Sequence, residues 1–306
     1  MIATPTLSLE PLQAVFPGRL QFDVPLARYT AALVGGSADG LLIVNSAAEL
    51  AEAVEILWED EIPFTILGGG SNVLVSDDGV RGVVLLNRAK TVRFDTRNTT
   101  VWAESGANFG ALARQAAHKS LSGLEWAAGV PGTVGGAVFG NAGAHDGDIA
   151  GNLIEAEGLH RSRGHETWPV ERMNYGYRSS ALKENPGQVT VLSALLKLEH
   201  SSPEAIREKM DAFLTHRRRT QPPGASMGSM FKNPPGDFAG RLIDAAGLKG
   251  TRVGGAAISS LHGNFFVNTG NVRAAEVYEL IQLARRTVEE RFGVGLELEI
   301  ELIGDW

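Results

Sequence analysis

The chain has 306 residues, with no cysteine, 28 basic and 35 acidic side chains, and a net charge of −7. The absence of cysteine excludes disulfides, thiolate metal sites, a cysteine nucleophile and a flavin tethered through sulfur, and the acidic balance disfavours a general nucleic-acid binder. A hydrophobic fraction of 43% fits a globular protein of two or three domains, and with no basic leader and no run of membrane-spanning length the expectation is a soluble, cytoplasmic protein.

Residues 1–40 carry Pro5, Pro11, Pro17 and Pro25 and read as irregular. Residues 41–44 (LLIV) read as a buried strand. Ser46 followed by Glu49 is a capping box, and Leu50, Ala53, Val54, Leu57 and Trp58 recur at helical spacing, which predicts an amphipathic helix. Residues 63–67 return as a strand that runs directly into Gly68, Gly69, Gly70, Ser71 and Asn72, before the apolar residues 73–75. This is strand, glycine turn, strand. It has neither the G-x-G-x-x-G spacing of a dinucleotide turn nor the lysine of a P-loop.

From Val80 the pattern is β-rich, at 83–86, 91–94 and 100–104, and Phe109, Leu112, Ala113 and Ala116 mark a short helix. The stretch 122–147, SGLEWAAGVPGTVGGAVFGNAGAHDG, has eight glycines in 26 residues. Glycine lets main-chain N–H groups approach a ligand closely, Pro131 fixes one turn, and Thr133, Asn141 and His145 add short polar groups. Such a stretch suits a phosphate or pyrophosphate held in an anion nest, or it is an ordinary glycine-rich surface loop; Leu124, Trp126, Val130 and Val138 argue for burial. Two glycine-dense loops flanked by β-like runs suggest one extended ligand gripped along its length. Further strands are predicted at 153–159 and 189–198. Between them, Tyr175-Gly176-Tyr177-Arg178-Ser179-Ser180 sets an arginine among aromatics, which by itself is usually a cation–π or salt-bridge element.

Ser202, Pro203 and Glu204 open a helix with a cap, a first-position proline and an acid at the positive dipole end. It ends in His216-Arg217-Arg218-Arg219, either cations at a helix C-terminus or a cluster that neutralises a diphosphate. Helices are also predicted at 238–246 and 272–292, ended by Gly247 and Gly293. At the C-terminus, residues 296–302 alternate Leu or Ile with Glu297, Glu299 and Glu301, a strand with an acidic face. No histidine has metal-ligand spacing, so no metal is expected, and His262 reads as structural.

The GGGSN cluster at 68–72 together with SGLEWAAGVPGTVGGAVFGNAGA resembles the UDP-N-acetylenolpyruvoylglucosamine reductase family, and the likeness runs over almost the whole chain. Three further segments extend it: Tyr175–Ser180 (Y-G-Y-R-x-S), residues 228–234 (G-S-x-F-K-N-P) and Ser260-Leu261-His262-Gly263-Asn264-Phe265. The family pattern has Ala where Gly263 stands, and Pro and Val where Leu298 and Ile300 stand. The resemblance implies an α+β protein with the two-subdomain FAD-binding fold of the vanillyl-alcohol-oxidase and p-cresol-methylhydroxylase type, plus an α+β substrate-binding domain. The expected division is 1–78 (with 294–306 returning) and 79–200 for the flavin, and 201–293 for the substrate. With no long insertion after Ser180, the chain resembles the subclass lacking an extended substrate loop.

The same resemblance implies NADPH-dependent reduction of UDP-N-acetylglucosamine enolpyruvate to UDP-N-acetylmuramate through non-covalent FAD, in peptidoglycan precursor synthesis. It assigns the flavin to Gly68, Gly69, Gly70, Ser71, Asn72, Gly129, Val130, Pro131, Gly132, Thr133, Gly135, Gly136, Asn141, Ala142 and Gly143. It makes Arg178 the clamp on the substrate carboxylate, Ser229 the proton donor to the α-carbon and Glu299 a stabiliser of the enolic intermediate. Tyr177, Lys232, Asn233 and Gln221 would contact substrate. A planar guanidinium suits a carboxylate that gains charge in the transition state. The implied partner is a small UDP-sugar, with no nucleic acid, membrane or obligatory protein. Two rivals stay open: an oxidase of the same flavin fold, and a non-catalytic nucleotide-binding module.

Overall fold

The computed structural model describes residues 8–306; Pro5 lies outside them. The chain forms two compact units. One takes the described residues up to Val24, Ala38–Gly68 and Arg81–Met210; the other takes Pro25–Ser37, Gly69–Val80 and Asp211–Trp306.

The first unit starts from the predicted strand, helix and strand. Ser37–Val44 leads to the helix Ala47–Glu59, which returns as Phe64–Leu67. Ser46 caps the helix by accepting from the Glu49 N–H at 3.1 Å, and the Glu49 carboxylate reaches back to the Asn45 N–H at 2.8 Å. Leu50, Ala53, Val54 and Leu57 are fully buried. Each Leu or Val so placed contributes roughly 1.5–3 kcal/mol. The sheet runs in the order Gln21–Pro25, Ser37–Val44, Val80–Asn87, Phe64–Leu67, and the last two strands are parallel.

A second, antiparallel sheet in this unit has five strands, in the order Gly164–Pro169, Leu153–His160, Val189–Lys197, Thr100–Glu104, Val92–Asp95. One cluster of buried side chains joins Leu42, Val83 and Leu85 of the first sheet to Leu159 and Leu192 of the second. The segment read as irregular contains a helix, Glu10–Val15, and the strand Gln21–Pro25. Leu9, Leu12 and Phe16 enter that same buried cluster. The helix is too short for its periodicity to show in sequence and forms because these three side chains are buried against Leu50 and its neighbours.

The second unit is built on a four-stranded antiparallel sheet, in the order Ala225–Ser229, Phe265–Asn268, Ala256–Ile258, Arg252–Val253. The helices Ala239–Ala245 and Ala274–Phe292 pack into its core. Gly293 ends the long helix in a left-handed conformation, φ 67°, as the sequence pattern anticipates. The Asp77 carboxylate caps the start of this helix, accepting from Ala274 N–H at 2.8 Å and Ala275 N–H at 2.9 Å. Val73–Val75 pairs in parallel with Glu301–Ile303, so the C-terminus returns to the strand that follows the first glycine cluster. Regular strand covers only Glu301–Ile303 there. Residues 296–300 make a single bridge, Leu298 to Phe231. No helix among the described residues is long and apolar enough to cross a membrane.

Candidate active site

In the first unit the glycine-rich stretch folds as a 3-10 turn, Glu125–Ala127, and a seven-residue helix, Val134–Gly140. Gly68 meets this stretch directly. A Cβ at Gly68 would lie 2.5 Å from Thr133 Oγ1, so glycine permits this close approach of Gly68 to Thr133. The N–H groups of Gly129, Gly132 and Thr133 have no protein acceptor among the described residues. In the second unit the same is true of Gly69, Gly70, Ser71 and Asn72. Gly70 has φ +59°, and a Cβ on it would come within 2.1 Å of the Tyr29 carbonyl oxygen. Successive main-chain donors on glycine-bearing backbone fit the pyrophosphate of a dinucleotide cofactor. Each set of donors, taken in its own unit, is of the kind that suits the pyrophosphate of FAD.

Asn141 is also bonded within the protein. It ends the short helix in the left-handed region, φ 45°, and is 5% exposed. Its Nδ2 donates to the Gly176 carbonyl at 3.0 Å and its Oδ1 accepts from the Ala150 N–H at 3.0 Å. Three more bonds moor the Tyr175–Ser180 segment to the glycine-rich stretch. Tyr175 Oη donates to the Val138 carbonyl at 2.9 Å, Ser180 Oγ to the Phe139 carbonyl at 2.6 Å, and Arg178 Nη2 to the Gly143 carbonyl at 2.9 Å. Burial raises the Tyr175 hydroxyl well above the usual phenol range, with Asp148 adding to the shift, so it remains a neutral donor. Arg178 sits at φ 54°, its guanidinium 5.2 Å from the centre of the half-exposed Tyr177 ring. Asn141, Asp148, Ala150 and Tyr175 to Arg178 line a cavity of about 330 Å³. A left-handed backbone held by four tethers puts a cation in the lining of this cavity.

In the second unit Ser229 ends the strand Ala225–Ser229, paired with Phe265 after a register shift. The next residues meet the C-terminal segment: the Glu299 N–H donates to the Met230 carbonyl at 2.9 Å, and the Lys232 N–H to the Glu297 carbonyl at 2.8 Å. Asn72, from the glycine cluster, donates from Nδ2 to the Glu299 carbonyl at 3.0 Å. The three acids that spacing could not separate now differ. Glu297 forms an ion pair with Lys232, Glu301 lies in the C-terminal strand with its N–H on the Asn72 carbonyl at 2.9 Å, and Glu299 is bonded through its main chain to Met230 and to the Asn72 side chain. Asn233 Oδ1 accepts from the Ala239 N–H at 3.2 Å at the start of a helix, and Gln221 follows the end of Pro203–Thr220 with its N–H on the Arg217 carbonyl at 2.8 Å.

The basic cluster divides. Arg218 Nε donates to the Leu214 carbonyl at 3.3 Å, the helix-end role, while burial lowers the pKa of Arg217. His262 is structural: its Nδ1 accepts from the Asn264 N–H at 3.2 Å, and its ring lies 5.0 Å from that of Phe265. The side-chain duties of Asn72, Asn141 and Asn264 were not visible in sequence, where each is only a small polar residue in or beside a motif.

Residues 38–157 match the family of FAD binding domains, and residues 220–303 match the C-terminal domain of UDP-N-acetylenolpyruvoylglucosamine reductase. The reductase of Rubrobacter xylanophilus is 46% identical over 295 residues, 96% of this chain and 98% of that protein. The chain belongs to the UDP-N-acetylenolpyruvoylglucosamine reductase family. The solved reductase of Thermus caldophilus shares 40% identity with a TM-score of 0.79, covering 92% of this chain and 98% of its own. A weaker likeness to alkyldihydroxyacetonephosphate synthase, TM-score 0.50 at 19% identity over 65% of this chain, concerns the fold alone. The fold is the α+β FAD-binding arrangement of the vanillyl-alcohol-oxidase type.

Proposed function

We propose that the chain is an FAD-dependent oxidoreductase that reduces UDP-N-acetylglucosamine enolpyruvate to UDP-N-acetylmuramate in peptidoglycan precursor synthesis, with NADPH as hydride source. The observation that carries it is the junction in the second unit, where the residue after Ser229 is bonded to Glu299 and Glu299 to Asn72. Bound FAD would supply hydride relay from NADPH to the enolpyruvyl double bond. Arg178, presented by the tethered Tyr175–Ser180 segment, holds the substrate carboxylate in a two-point fork. Ser229 delivers the proton to the α-carbon, and Glu299 stabilises the enolic form beside it. Tyr177, Lys232, Asn233 and Gln221 contact the UDP-sugar. We assign residues 1–78 with 294–306, and 79–200, to the flavin, and 201–293 to the substrate. The reading requires no nucleic acid, membrane or protein partner and places the enzyme in the cytoplasm.

The purified protein should be yellow, release FAD on denaturation, and oxidise NADPH only when the enolpyruvyl UDP-sugar is added. Oxygen-dependent turnover of an alcohol, with indifference to the UDP-sugar, would replace this reading with a flavin oxidase. A bound flavin with no turnover of either kind would favour a binding module.

A further inference from the structure

We propose that Asn264 is the positioning residue of the junction between Ser229 and Glu299, its buried carboxamide setting the path of residues 229–232. The inference rests on the reading that Ser229 and Glu299 serve the reaction above. Asn264 is 3% exposed and immediately precedes the strand Phe265–Asn268. Three hydrogen bonds run between it and the residues after Ser229. Its main-chain carbonyl accepts from the Met230 N–H at 2.8 Å, its Oδ1 accepts from the Phe231 N–H at 2.9 Å, and its Nδ2 donates to the Phe231 carbonyl at 2.7 Å.

The main chain needs this help. The ladder between Ala225–Ser229 and Phe265–Asn268 slips between Ser226 and Ser229, resumes with Ser229 opposite Phe265 and the Met230 N–H on the Asn264 carbonyl, and ends there, so among the described residues no strand of this sheet pairs with Phe231. The carboxamide takes the place of a strand partner, offering an acceptor and a donor at the spacing of a peptide group. Residues 230–232 are then held twice: by Asn264, and by the C-terminal segment through Glu299 N–H to Met230 O and Lys232 N–H to Glu297 O. Phe231 is fully buried, its ring 6.1 Å from that of Phe266, so water has no ready access to replace the lost bonds. Removing the carboxamide leaves the Phe231 N–H and carbonyl to find new partners by moving. Displacement of a reacting group by about 1 Å can cost roughly 10²-fold in rate.

Asn264→Ala removes both side-chain bonds. Asn264→Asp keeps the acceptor and loses the donor until the carboxyl is protonated. The titratable and charged neighbours are His262 on the same turn and Lys232, Glu297 and Glu299 on the facing segments, and the wild-type protein supplies their pH baseline. The experiment uses the full chain loaded with FAD, stopped-flow kinetics of both half-reactions across a pH series, and hydrogen–deuterium exchange without substrate. In Asn264→Ala, flavin content should be retained and flavin reoxidation by the enolpyruvyl UDP-sugar should slow about 10²-fold, well beyond any change in reduction by NADPH. Exchange should quicken at residues 229–233 and 297–300 and stay unchanged at Leu153–His160 of the flavin-side sheet. In Asn264→Asp the defect should shrink as pH falls, a trend absent from the wild type and from Asn264→Ala. Unchanged exchange at 229–233, equal slowing of both half-reactions, or identical pH trends in the two variants would overturn the proposal. Loss of folded structure in both variants would also overturn it, making Asn264 a stability residue. If the wild type itself fails to turn over the UDP-sugar, the functional reading falls alone, and the exchange data still decide whether Asn264 positions this segment.

Discussion

Asn141→Ala tests whether the short helix Val134–Gly140 positions the arginine segment. The substitution removes the bonds to the Gly176 carbonyl and the Ala150 N–H, both 3.0 Å long. At a net value of about 0.5–1.5 kcal/mol each, that is roughly 1–3 kcal/mol. Alanine must also hold the left-handed backbone at φ 45°, which costs roughly 1–2 kcal/mol more. The total is roughly 2–5 kcal/mol, against a whole-domain stability of about 5–15 kcal/mol. Asn141→Gly loses the same bonds but accommodates the left-handed turn, so it should be the milder variant. Urea unfolding followed by circular dichroism and flavin fluorescence reads both terms. Because Gly176 leads directly into Tyr177 and Arg178, both variants should also slow flavin reoxidation by substrate. An Ala variant within about 0.5 kcal/mol of wild type, or a Gly variant harmed more than the Ala variant, would refute the reasoning.

Stopped-flow kinetics should separate the two motif residues from the cofactor. Arg178→Lys keeps the charge but loses the planar fork, and Ser229→Ala loses the proposed donor, so each should slow reoxidation by the UDP-sugar while NADPH still reduces the flavin. For Ser229→Ala the expected loss is about 10²–10⁴-fold, and slowing of less than about tenfold would reject it as proton donor. Burial, with Lys249 nearby, holds the His262 imidazole below its ordinary value of 6.5. The unfolded chain therefore takes up this proton first as pH falls. His262 contributes its full stability above about pH 6.5 and loses it as pH drops toward the folded value. The unfolding midpoint should decline below that pH, and His262→Asn should flatten the decline; equal slopes in both proteins would refute the assignment.

What could be read from sequence was local. The capping box at Ser46 and Glu49, the helical face from Leu50 to Leu57 and the glycine stop at Gly293 depend on neighbours a few residues apart. The glycine clusters stood out by composition, whereas the Tyr175–Ser180 and Ser229–Asn233 segments, ordinary by themselves, gained their roles only through the family resemblance. The side-chain work that aims those segments was not legible. Asn141 reaches Gly176 across 35 positions, Asn264 reaches Phe231 across 33, and Asn72 reaches Glu299 across 227. An asparagine has the same local pattern whether it faces water, caps a turn or grips a distant backbone, since the difference lies in which groups are buried beside it. Alternation makes Glu297, Glu299 and Glu301 equivalent, the family resemblance singles out Glu299, and the fold gives the three different surroundings: Glu297 pairs with Lys232, Glu301 lies in a parallel strand with its N–H on the Asn72 carbonyl, and the Glu299 main chain is bonded to Met230 and Asn72.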